Sequence, residues 1–267
     1  MKTYKKLDIH AHIFPEKIRE KAVAAIGTFY DFEMQRKGSA ADLLTYREKA
    51  GINYFVVHSV ATVPKQVCSI NDFLKEQLDA HPEFIGFATL HPDMEGLADE
   101  IDRVISLGFR GIKLHPDFQQ FDIDSPSAQN LYTLVDGRLP ILLHMGDKVK
   151  TFSQPKRLAK MAVMFPKQVF IGAHLGGYNA WDESEEYLIG KSNIYIDTSS
   201  ALFALDPAHA TEIIRRHGVE KAIFGTDYPM WDPEEELERF AKLQLTDEER
   251  RMIFFENAAK LFGISEE

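Results

Sequence analysis

The chain has 267 residues, 45% hydrophobic and 27% charged, enough apolar material for one core in a single domain spanning 1–267. A net charge of −10 repels phosphate backbones and no local basic patch offsets it, so no nucleic-acid partner is expected. The one cysteine, Cys68, excludes an intrachain disulfide, and neither a long apolar run nor a signal-like start is present. A cytoplasmic protein away from membranes is the expectation.

Short apolar runs predict strands at 5–10, 53–60, 84–90, 109–115, 139–144, 168–174, 193–199 and 221–227. The first ends in LDIHAH, which puts His10 and His12 on one face and Asp8 beneath them, placed to steady a histidine ring or to be a plain inner polar residue. Residues 13–38 exceed what a strand-to-helix loop needs and hold Phe14, Phe29, Tyr30, Phe32 and Met34. An aromatic lid and a plain helix on the rim are both open readings there. Ser39-Ala-Ala-Asp42 and Ser69-Ile-Asn-Asp72 look like capping boxes that open the first two helices, with Cys68 an inert neighbour of the second. His58 lies within the second strand as a core or supporting residue, and His91 ends the third, where it is a candidate to line a pocket.

Further helices are predicted at about 94–107, 126–137, 154–165, 206–217 and 233–243. In GIKLHPDF, Lys113 and His115 share a face, so Lys113 is placed one layer deeper than the rim. His144 ends the fifth strand and His174 the sixth; Asp197 lies in the seventh and Asp227 ends the eighth. Trp181 and Trp231 follow strands six and eight, where an indole can stack on a flat ligand or pack on a helix. Thr246-Asp-Glu-Glu249 caps a terminal helix that runs to Phe262 and stops at Gly263. His81, His209 and His217 read as surface residues.

Eight strands alternating with helices imply a parallel sheet. The first strand is followed by no glycine-rich phosphate loop, so a closed (β/α)8 TIM barrel, with an insertion after strand 1 and an extra C-terminal helix, is preferred to an open doubly wound sheet. In a barrel the strand ends share one rim. His10, His12 and His144 with Asp227 then offer three nitrogens and one oxygen to a divalent metal, and His174 is free to move a proton.

From HAH on strand 1, through His144 and His174, to GTDYP and the ENAAKLFGI ending, the chain resembles the amidohydrolase superfamily. Within it, the match is to the amidohydrolase-2 branch that includes aminocarboxymuconate-semialdehyde decarboxylase-like proteins. The resemblance implies His10, His12, His144 and Asp227 as metal ligands and His174 as acid/base. It also allows a second metal, bridged by a carboxylated Lys113; one ion, zinc in first place with Mn, Fe or Co as alternatives, is preferred because Lys113 lies one layer deeper, where bridging is harder. His115, Lys113 and His91 are the auxiliary or substrate-contacting candidates.

The leading expectation is a metal-dependent hydrolase acting on an amide, ester or lactone of a small polar molecule. The alternative is a non-oxidative decarboxylase of a small unsaturated or aromatic acid. It ranks second because DIHAH lacks the E-x-H arrangement of many decarboxylases in the branch. A barrel that binds without turnover is disfavoured by the spare histidine. Specificity is assigned to 13–38 and to loops near 117–124, 147–153, 176–184 and 228–233, where Asp147, Lys148 and Lys150 hint at a polar ligand. A homodimer is plausible by analogy alone.

Overall fold

The structure, a computed structural model, describes residues 4–34 and 36–264. Eight parallel strands stand side by side in chain order: β1 (Leu7–His12), β2 (Tyr54–His58), β3 (Phe84–Thr89), β4 (Gly111–Leu114), β5 (Ile141–Leu143), β6 (Phe170–Gly172), β7 (Ile194–Asp197) and β8 (Ala222–Ile223). The ring closes where the end of the chain returns to its start. The Ile9 amide donates to the Phe224 carbonyl at 3.0 Å, His12 to Tyr228 at 2.7 Å, and Asp227 to His10 at 2.8 Å. This is the (β/α)8 barrel that the alternation of strands and helices predicts.

Both faces of the sheet are covered, which is why the strands read as unbroken apolar runs. Outward side chains such as Val57, Ile112 and Leu143 join the core formed with the surrounding helices. Inward ones, among them Leu7, Val56, Phe87, Leu142 and Ile171, fill the barrel, and Phe255 and Phe262 of the C-terminal helix join them. Phe255 stacks on Tyr54, the first residue of β2, and Phe262 meets Phe87 edge-on, so this helix seals the end where the strands begin. Gly111 makes room for that filling, since a Cβ there would lie 2.5 Å from the Phe87 ring.

Several local readings change. Ser69 lies inside the Val67–Ala80 helix and donates to the Gln66 carbonyl; Gln66 accepts from the Thr62 and Val63 amides and so organises the helix start instead. A short helix at Trp181–Tyr187, absent from the periodicity reading, follows β6. His217 is buried rather than on the surface, because the helix end packs on β7 and its Nε2 donates to the Ile194 carbonyl at 2.9 Å. The caps at Ser39 and Thr246 and the left-handed stop at Gly263 form as predicted. Among the described residues no helix is long and apolar enough to cross a membrane.

Candidate active site

The strand ends bring His10, His12, His115, His144 and Asp227 to one cavity of about 20 Å³, on the scale of a single water molecule. Local backbone irregularities accompany this convergence. His10 and His12 point the same way along β1, past an irregularity in the β1–β2 register between Asp8 and Ala11. His174 and Asp227 hold left-handed backbones, φ 64° and 62°, as does Ser200 at 46°. Such conformations are sparsely populated for non-glycine residues and gather where a site dictates them.

His10 is the centre of the polar network. Its Nδ1 lies 3.0 Å from Asp197 Oδ2, which fixes that nitrogen as the donor. The lone pair on Nε2 is left facing Lys113 Nζ at 2.9 Å and Asp227 Oδ1 at 3.3 Å. Burial, reinforced by the Lys113 charge, pushes the His10 ring down to about 4, so it is neutral at physiological pH. His12 Nε2 stands 3.5 Å from the same Asp227 oxygen. The other Asp227 oxygen accepts from Ser200 Oγ at 2.5 Å, and that hydroxyl in turn accepts from the Trp231 indole at 2.8 Å. Burial favours a protonated Asp227, but His10, His12 and His174 outweigh it and hold the group well below the usual carboxylate range.

A second pair of rings shows its tautomers plainly. His174 Nδ1 donates to the Ser199 carbonyl at 2.9 Å, and His144 Nε2 donates to the Gly146 carbonyl at 3.0 Å. Carbonyls only accept, so the remaining nitrogens, His174 Nε2 and His144 Nδ1, both carry lone pairs. They face each other at 2.9 Å.

His115 is sandwiched between Phe118 and His144, with ring centres 3.7 and 3.9 Å away. Its Nδ1 accepts from the Phe118 amide at 3.3 Å, so Nε2 is the donor to Tyr30 Oη at 3.0 Å. Tyr30 belongs to the 13–38 segment, which forms a helix, Glu16–Tyr30, whose Ile26 and Tyr30 roof the cavity together with Met34. Burial pushes the Tyr30 phenol well above its ordinary value, which keeps its proton on.

The amidohydrolase family matches residues 7–264. The chain belongs to the amidohydrolase family. Solved structures share the fold over nearly the full length of both chains. A 5-carboxyvanillate decarboxylase from Sphingomonas paucimobilis is 15% identical, with TM-score 0.75, covering 98% of this chain and 100% of that one. A dihydroxybenzoic acid decarboxylase from Polaromonas sp. JS666, holding manganese and 2-nitroresorcinol, is 18% identical, with TM-score 0.74 and 98% of each chain covered. A protein called amidohydrolase II is 15% identical, with TM-score 0.75, covering 97% of this chain and 100% of that one. No curated protein matches the sequence.

Amidohydrolases are metal-dependent, and the donor chemistry here fits a divalent ion. Two imidazole lone pairs 2.9 Å apart repel unless a cation lies beside them, and Asp227 Oδ1 adds a fixed negative charge near two further ring nitrogens. Among the described residues, three groups bring ligand atoms within 4.8 Å of one another: His10, His12 and His58; His10, His174 and Asp197; His115, Asp117 and His144.

Other expectations shift. Lys113 does not lie too deep to take part, because its four-carbon stem lifts the amine a full layer to His10; burial pushes it down to about 8. Asp197 serves His10, Ser199 and the His174 amide. Asp8 touches no histidine ring. It accepts from the His10 amide and from the amide and hydroxyl of Thr226, and so ties β1 to the turn that carries Asp227. His91 does not line the cavity; its Nδ1 accepts from the Asp93 amide at 3.2 Å. Trp181 donates to the His174 carbonyl at 2.9 Å, and Trp231 is engaged by Ser200, Phe203 and Arg239, so neither indole is presented to the cavity. Asp147 accepts from the Val149 and Lys150 amides and shapes its own turn. Cys68 is exposed and donates to Glu100. Ser199, which touches His10, His174 and Asp197, went unread; the only sequence signal for it is its place two residues after the Asp197 strand end.

Proposed function

We propose that this amidohydrolase is a metal-dependent hydrolase that directs water at an amide, ester or lactone carbonyl of a small polar substrate. His10, His12, His144 and Asp227 would hold one divalent ion, zinc in first place. When bound, the ion supplies the Lewis acidity that lowers the pKa of water toward neutrality. The observation that carries this reading is the Asp227 carboxylate, kept anionic beside His10 and His12 with its second oxygen pinned by Ser200. A carboxylate so placed can both ligate and accept a proton from water. His174 is held by Ser199, Trp181 and Asp197 with its Nε2 carrying a lone pair, which suits it to take a proton from the attacking water and give it to the leaving group.

Decarboxylation is the second reading, favoured by the aromatic surround of Tyr30, Phe118 and the stacked His115. Protein purified without chelators is assayed for bound metals, then offered panels of lactones, esters and amides alongside aromatic acids. The expected result is about one divalent ion per chain and acid release that stops on chelation and returns with zinc. CO₂ release from the aromatic acids would move the assignment to the second reading. No retained ion would defeat both.

Tyr30 is assigned to the substrate. With His115 donating to its oxygen, its own proton points to an acceptor in the cavity. Tyr30→Phe is expected to keep its metal and lose about 10- to 100-fold in kcat/KM, the worth of one hydrogen bond to a charged oxygen. Unchanged kcat/KM would remove Tyr30 from the substrate site.

A further inference from the structure

His58 ends β2, directly opposite His12 in the strand register. It is wholly buried, and neither ring nitrogen has a hydrogen-bond partner. That is an unusual state for an imidazole, which carries one donor and one lone pair that burial ordinarily requires to be met. Packing alone gives no reason for a histidine here, because an apolar ring would fill the same space with nothing left unsatisfied.

The surroundings show what the ring faces. Its centre lies 4.4 Å from that of His12, at 90°, and 5.0 Å from that of His10, at 70°. One ring nitrogen from each of the three comes within 4.8 Å of the others. Two of these rings already turn Nε2 toward Asp227. His58 therefore adds an unspent nitrogen on the β2 side of a donor cluster that has no other contribution from that strand.

We infer that His58 is a ligand of the metal centre, giving a ring nitrogen to the ion that His10 and His12 hold. This rests on the metal-dependent reading above and extends the ligand set to β2, which carries none of His10, His12, His144 and Asp227. A further neutral nitrogen biases the site toward zinc or cobalt and away from manganese or magnesium, whose preference is for oxygen.

The test is metal binding rather than turnover. Metal-free protein is titrated with Co²⁺, followed by visible absorption, and with Zn²⁺ against a competing chelator. The same is done for His58→Phe, which keeps the volume, and His58→Gln, which keeps a polar group. X-ray absorption on the zinc-loaded wild type counts the imidazoles. The expected results are one imidazole more than His10, His12 and His144 supply, an altered Co²⁺ spectrum in both variants, and zinc held about 100-fold more weakly by His58→Phe. If His58→Phe does not fold, the imidazole count and His58→Gln decide. Wild-type affinity and spectrum in the variants, or an imidazole count without the extra ring, would overturn the inference while leaving the metal reading intact. A wild type that takes up neither Co²⁺ nor Zn²⁺ would overturn both.

Discussion

His10→Ala is expected to be purified without metal and without activity. No other side chain in the site has as many partners: Asp197 and Ser199 on one nitrogen, Lys113 and Asp227 around the other. Removing the ring deletes one of the proposed ligands and also leaves the wholly buried Asp197 carboxylate short of its His10 partner. Leaving a buried acceptor unmet costs about 1–3 kcal/mol, and more for a charged one, so the variant should also melt at lower temperature. Metal analysis should show content reduced more than tenfold, as expected when a ligand is lost outright rather than merely misoriented. If His10→Ala keeps a full complement of ion, the centre has been misplaced and Asp227 does not act as a ligand beside it.

The second large effect is at His174, and its signature is the opposite. His174→Ala should retain its ion while turnover falls about 10²- to 10⁴-fold, the usual weight of a positioned acid or base. The side chain is set up for that work. Ser199 fixes its tautomer, Trp181 and Asp197 fix its left-handed backbone, and the free nitrogen faces His144. A pH profile of kcat/KM should lose the limb that this residue controls. Two alternative results are informative. Normal turnover would remove it from the chemistry, whereas loss of metal together with activity would make it a ligand, as a two-ion centre with Lys113 as the bridge requires.

The barrel was legible because parallel strands buried on both faces cannot alternate polar and apolar residues, so β2, β5 and β6 stand out as VVH, ILLH and FIGAH. Strand-end residues were legible for the same reason: an abrupt histidine or aspartate after such a run has nowhere to go but the rim. What failed was everything that depends on the reach of a side chain rather than its position. Alternation put Lys113 in the right layer by its Cα, but its amine acts one layer higher. His91 lies two residues past the end of β3 and turns to the Asp93 amide, because a nearby backbone donor captures the ring. Of the two readings open for Asp8, ring support or a plain inner polar residue, the second holds, because main-chain donors from both sides of the barrel seam take its carboxylate. The role of Tyr30 could not be assigned from the chain alone, since its contact with His115 spans 85 positions and depends on how a helix outside the repeating unit lies.

That helix has a kinetic consequence. Glu16–Tyr30 rests on the barrel with only Val23 and Gly27 buried, and the chamber below it admits little more than one water. That chamber is smaller than a carbonyl compound of even a few carbons, but a second cavity of about 610 Å³, lined by His12, Ile26, Phe29 and Phe118, adjoins it along the same helix. The proposed reaction would therefore draw its substrate along the Glu16–Tyr30 helix, and any movement of that helix that widens the passage would bound the turnover rate.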